Sequence, residues 1–143
     1  MIPDYYEFKS ATKILSGANA IEHLPYELAN LGAHRVLVVT DERLNSLGML
    51  KPILAAIHDS EIEVAAIFDQ VPVDSAVEAV NALARHYREL RCSGIVAVGG
   101  GSVLDTAKGA GIVLATGEDD LMHLRGSEVL SNICLPPLVA IPT

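Results

Sequence analysis

The sequence predicts an α/β domain, a parallel sheet flanked by helices, and three observations predict it. Apolar runs of strand length recur at 35–40 (RVLVVT), 63–68 (EVAAIF), 95–98 (IVAV) and 138–141 (LVAI). A continuous run rather than an alternating one marks a strand covered on both faces. Between the runs, apolar residues return at three- and four-residue steps, the period of an amphipathic helix. Third, hydrophobic residues make up 50% of the chain while aromatics make up 4% and Trp is absent. The core must then be aliphatic, which is the composition of helix-covered parallel sheets. Strands that alternate with helices imply right-handed crossovers.

The elements follow in order. Segments 5–9 and 12–15 are short extended candidates, expected to pair as a hairpin at one sheet edge. The turn Ser16-Gly17-Ala18-Asn19 leads into a helix over 20–31, with Ile21, Leu24, Leu28 and Leu31 on one face. Pro25 falls in its early turns, where a missing N–H costs least, and Gly32 ends it. After the strand at 35–40 comes a helix over 50–58, with Leu50, Ile53, Leu54 and Ile57 on one side. Beyond the strand at 63–68 and the loop Val71-Pro72-Val73-Asp74, Ser75 is expected to cap a long helix. Glu78, three residues on, would complete a capping box. The strand at 95–98 runs into Gly99-Gly100-Gly101, and Ser102 opens a helix that continues towards Ala115. Gly109 and Gly111 each weaken that helix by about 1 kcal/mol, so close packing against the sheet is expected to justify them. A polar, acidic connection from 116 to 131 precedes the last strand.

A length of 143 residues fits one domain over 1–143, which can bury roughly 68–70% of its unfolded surface. The formal net charge of −8 argues against nucleic acid or an anionic membrane as partner. An anionic ligand would need a local exception, supplied by backbone N–H groups or a helix end. Cys92 and Cys134 have no metal-ligand spacing and make no disulfide framework. Free thiols in a reducing compartment are the reading. The start, MIPDYYEFKS, lacks the basic and then apolar pattern of a signal peptide. No apolar stretch approaches the roughly 20 residues of a membrane helix, and a cytoplasmic location is expected.

The glycine segment carries the main chemical signal. Gly99, Gly100, Gly101 and Ser102 join a strand to a helix N-terminus. There, glycines let an anion approach without a Cβ in the way, and unpaired N–H groups with the helix dipole face it. A strand–helix turn with a Ser cap is the alternative, although three glycines exceed what capping requires. Leu104 excludes both the G-x-G-x-x-G fingerprint and the G-x-S-x-G elbow, and no Gly-Lys-Ser/Thr is present. Asp105 and Lys108 lie three apart on the following helix. They are either a surface pair or neighbours of the loop, Asp105 bonding its backbone and Lys108 adding positive charge. Asp41, at the carboxyl end of the first buried strand, can accept from a ribose diol and repel a 2′-phosphate, favouring NAD over NADP. It can equally cap a segment beginning at Glu42. The five histidines are scattered and have no ligand spacing. No catalytic residue and no metal ligand is assigned.

These motifs resemble a known family. VVTDERL from Val38, VAVGGGSVLDTAKG from Val96, the terminal AIPT from Ala140 and the early LSGAN turn resemble the iron-containing (group III) alcohol dehydrogenases in order and spacing. Dehydroquinate synthase and glycerol dehydrogenase share the glycine segment more loosely. The resemblance implies the Rossmann-like N-terminal half of that fold, with NAD(P) as cofactor and alcohols or aldehydes as substrates. It also implies a divalent metal, iron or zinc, held in the complete enzyme by an Asp and three His of a helical C-terminal domain. Gly100, Gly101 and Ser102 match pyrophosphate-binding positions, and Asp41 matches the residue near the adenosine ribose. Thr143 matches the first threonine of the family's IPTTAGT segment, which touches the cofactor. The family's Pro-Asn-Pro-Thr loop reads Pro72-Val73-Asp74-Ser75, and Asp74 is given the role of its Asn. Ser93 replaces an Asp common before the glycine strand. The rest of the threonine-glycine segment and the metal ligands would lie beyond residue 143, so a truncated chain, inactive by itself, is expected. A stand-alone nucleotide-binding module and a degraded gene product without catalysis are the rival readings, and homo-oligomerisation stays open.

Overall fold

The computed structural model describes residues 11–126 and 133–143. Four strands, β1 (Arg35–Val39), β2 (Glu63–Phe68), β3 (Gly94–Gly99) and β4 (Leu138–Pro142), coincide with the four apolar runs to within a residue or so. All pairings are parallel and the order is β2-β1-β3-β4. Burial follows the order. Every residue of the central β3 is buried and four of five in β1 are, while β2 and β4 at the edges are partly exposed.

Helices α1 (Leu24–Asn30), α2 (Glu42–Ser46), α3 (Lys51–His58), α4 (Val77–Glu89) and α5 (Gly101–Thr116) complete the frame. Leu24 and Leu28 of α1 and Ile53 and Ile57 of α3 pack on Val36, Val38, Val96 and Val98. On the opposite face, Val80 and Leu83 of α4 and Val103, Ala107 and Val113 of α5 pack on Leu37, Val39, Ile95 and Ala97. The split follows from handedness. The connection from β1 to β2 and the connections from β2 to β3 to β4 travel in opposite directions along the sheet. Crossovers of one hand therefore place their helices on opposite faces. No helix among the described residues is long and apolar enough to cross a membrane.

Several expectations are corrected. The extended candidate at 12–15 forms no strand, and its expected partner at 5–9 lies outside the described residues. Lys13 instead pairs with Glu27 of α1 at 2.6 Å, and Ile14 is 80% exposed. The helix expected over 20–31 is divided into a 3-10 turn, Ala20–His23, and α1, with Pro25 in the first turn of α1. A proline N cannot donate to the carbonyl four residues back, so the α-helix starts at Pro25's own first turn. Gly32, at φ 75°, ends α1 as expected.

The capping box does not form. Helix α4 starts at Val77 with Ala76 before it and no side-chain cap. The Ser75 hydroxyl lies 3.1 Å from the Thr106 hydroxyl instead. Gly109 is explained by α4 rather than by the sheet, because a Cβ there would meet Val80 Cγ2 at 3.1 Å. A Cβ on Gly111 would make only ordinary contact with Pro136.

Candidate functional site

In an open parallel sheet, the crevice for a ligand opens at the carboxyl ends of the strands where successive connections diverge. Here that point lies between β1, which leads outward to β2, and β3, which leads to β4. Asp41 follows β1, Gly99 ends β3, and Thr143 follows β4. The Thr143 N–H donates to the Gly99 carbonyl at 3.3 Å, so the β4 end rests on the glycine turn.

The three glycines differ. Gly99 has φ 155°, and a Cβ there would lie 2.7 Å from Val103 Cγ2, so the fold itself requires this glycine. Gly100 and Gly101 have no such requirement, because a Cβ at either would meet nothing within 4 Å. Two glycines thus border open space at the start of a 16-residue helix with no acidic residue in its first turn. Its free N–H groups and dipole favour an anion there.

Ser102 is not the cap, since Gly100 occupies that position. Its hydroxyl donates to the Val73 carbonyl. Thr106, fully buried, donates to the Ser102 carbonyl at 2.8 Å and touches Ser75. These bonds fasten the loop after β2 to the first turn of α5. Within that loop, counting from Pro72 puts Val73 and not Asp74 at the second, Asn-equivalent position. Val73 is 91% exposed, and Asp74 is the exposed residue beside it.

Asp41 caps α2, accepting from the Leu44 N–H at 2.8 Å through Oδ1. An Asn45–Asp69 hydrogen bond of 2.7 Å and a bridge between Asp41 and Gln70 tie this turn to the end of β2. Asp105 and Lys108 sit 3.8 Å apart with both side chains mostly exposed, the geometry of a surface pair. Ser93, at the other end of β3, accepts from the Arg35 N–H at 2.9 Å and so helps join β1 to β3.

Two participants escape the sequence reading. Thr40, fully buried at the end of β1, carries the one buried side-chain oxygen without a partner among the described residues. Such an atom leaves hydrogen-bonding capacity at the point where the crevice opens. Its signal was a hydroxyl closing an otherwise apolar run. Thr106 is the other, and helical periodicity alone does not distinguish it from a surface polar residue. Taken together, the open glycines and the helix end fit a phosphate-bearing nucleotide.

Three of the five histidines have local partners. His58 Nδ1 lies 2.9 Å from Asp59, His123 Nδ1 3.1 Å from Glu118, and His86 Nδ1 2.9 Å from the Ala82 carbonyl. Among the described residues, no group of three His, Cys, Asp or Glu side chains is placed to hold a metal ion.

Comparison with known proteins matches this architecture. The chain is 37% identical to a choline dehydrogenase of Bacillus subtilis over 97% of its own length and 35% of that protein's. It is 42% identical to a 1,3-propanediol dehydrogenase of Klebsiella pneumoniae, covering 89% of the chain and 33% of the relative. An NAD-dependent methanol dehydrogenase of Bacillus methanolicus is 34% identical, with 89% and 32% covered. Among solved structures, a 1,3-propanediol oxidoreductase superposes with a TM-score of 0.78 at 40% identity, over 87% of this chain and 32% of the other. The chain thus spans about a third of the length of the curated relatives it matches. The family model for iron-containing alcohol dehydrogenase matches residues 11–143, and the chain belongs to that family.

Proposed function

We propose that this chain is the dinucleotide-binding part of an NAD-dependent, metal-assisted alcohol dehydrogenase acting on a small alcohol or its aldehyde. The observation that carries the reading is the pair Gly100 and Gly101, open above the N-terminus of α5 at the switch point of the sheet. Their backbone N–H groups, with that of Ser102, would hold the pyrophosphate. Asp41 would accept from the adenosine ribose and disfavour a 2′-phosphate. The β1–α2 turn that carries it is held to β2 through Asn45 and Asp69. Thr143, whose N–H donates to the Gly99 carbonyl, would line the cofactor, with Asp74 and Asp105 as further candidates. The NAD-dependent methanol dehydrogenase among the relatives supports NAD as the cofactor.

In the complete enzyme a bound nicotinamide dinucleotide would supply a hydride acceptor, and a divalent metal would supply polarisation of the alcohol oxygen. This chain's own part is to bind and orient the dinucleotide. The metal ligands would come from a helical domain outside residues 1–143, as the family resemblance implies. Calorimetry of NAD, NADP and ADP-ribose against the chain tests the reading. Saturable binding of NAD and ADP-ribose, with NADP weaker, is expected. No binding of any of them would overturn it. The chain alone is expected to form no NADH from a short alcohol, and turnover by the pure chain would refute the assignment of metal ligands elsewhere.

A further inference from the structure

Cys92 and Cys134 stand 42 positions apart in the sequence yet line one open surface cavity of about 520 Å³, with Arg88, Arg91, Leu114 and Pro136. The cavity lies on the α4–α5 side of the sheet, before β3 and β4 begin. That is the amino edge, opposite the glycine loop. The Ile95 N–H donates to the Pro137 carbonyl at 2.9 Å, and each cysteine lies three residues before one of these joined residues. Neighbouring parallel strands run about 4.8 Å apart, so the two segments that carry the cysteines enter the sheet side by side, and a disulfide needs a Cα separation of roughly 4.4–6.8 Å. The chain before β4 is also stiffened, because Pro136 and Pro137 hold φ and Pro136 lies beside Gly111 of α5.

We propose that Cys92 and Cys134 form a reversible intramolecular disulfide when the chain meets a small-molecule disulfide such as oxidised glutathione. The two thiols differ in role. Cys134 is exposed and Cys92 is half-buried. Burial pushes the Cys92 thiol up, with the Arg35 guanidinium acting against that rise, so Cys134 is the first nucleophile and Cys92 the resolving thiol. The Cys134 thiolate attacks one sulfur of the glutathione disulfide, forming a mixed disulfide and expelling one glutathione thiolate. Cys92 then loses its proton to solvent and attacks the Cys134 sulfur, expelling the second glutathione thiolate. The two cysteines give up two electrons and two protons, and the glutathione disulfide is reduced to two glutathiones. The arginines lining the cavity favour the approach of the anionic reagent and stabilise the developing thiolate.

The test treats the folded chain with oxidised glutathione, alkylates remaining thiols with iodoacetamide and maps the unreduced digest by mass spectrometry. Loss of both alkylatable thiols is expected, with one peptide pair joined through Cys92 and Cys134 and restored by dithiothreitol. Cys92→Ser should stop at a glutathione adduct on Cys134. Persistent adducts on both cysteines, disulfide-linked dimers or two alkylated thiols would overturn the proposal. So would equally fast closure in urea, because the fold would then not be what brings the sulfurs together.

Discussion

The Ser102 hydroxyl donates to the Val73 carbonyl, joining the first turn of α5 to the loop that leaves β2. A serine hydroxyl has a single proton, so Ser102 cannot hold Val73 and donate to a phosphate together. Ligand binding exchanges one acceptor for another. Ser102→Ala is therefore expected to weaken ADP-ribose binding by no more than about tenfold, near the ~1.5 kcal/mol upper range of a net neutral hydrogen bond. Calorimetry reads this directly. A hundredfold loss would show that the hydroxyl serves the ligand without such an exchange.

The glycine turn allows folding and binding to be separated. Gly99→Ala places a Cβ against Val103 at a left-handed φ and is expected to cost about 1–3 kcal/mol of stability. Gly101→Ala meets nothing and enters a helix, so stability should hold or rise by up to about 1 kcal/mol. Its ADP-ribose affinity should nevertheless fall, because the methyl occupies the approach. Urea unfolding and calorimetry on the same samples decide the matter. Unchanged affinity in Gly101→Ala would count against an anion above the loop.

Asp41 has two roles to separate. Asp41→Ala removes the acceptor for the Leu44 N–H and is expected to lower stability by about 1 kcal/mol. Asp41→Asn keeps a capping oxygen and should stay within a few tenths of a kcal/mol of the parent. Both variants lose the charge, so both should bind NADP more nearly as well as NAD. Should Asp41→Asn retain the full preference for NAD, charge repulsion by Asp41 is not its origin.

A pH effect is expected far from the crevice. The Asn81 side-chain amide and then the Met122 N–H hold the Asp120 carboxyl below its ordinary value. A carboxylate with a depressed folded pKa stabilises the fold above its unfolded pKa, and the contribution disappears as pH falls through the folded value. The stability gap between the parent and Asp120→Asn should therefore be full near neutrality and shrink in strong acid, below the usual aspartate range. Urea midpoints across that range measure it, and a gap independent of pH would remove Asp120 from the acid response.

Strand positions, the glycine turn and the Asp41 cap were legible because each is encoded within a few consecutive residues. An apolar run of five or six, a Gly-Gly-Gly-Ser segment after it, or an Asp three residues before the N–H it accepts leaves a local trace. The family resemblance rested on the same short segments. What stayed hidden depends on groups distant in sequence. Ser75 looked like a helix cap until the fold brought Thr106, 31 residues away, against it. Gly109 looked like an accommodation to the sheet until α4 placed Val80 beside it. Segment 12–15 has the composition of a strand, but in the fold Lys13 pairs with Glu27 of α1, 14 positions away. Thr40 became notable only when packing excluded water from its hydroxyl and supplied no partner among the described residues. Sequence by itself determined which residues must leave water and where the backbone must turn, since hydrophobicity and allowed φ are properties of single residues. Only the tertiary structure decided which of them meet, because that depends on strand order and on the helix faces packed across it.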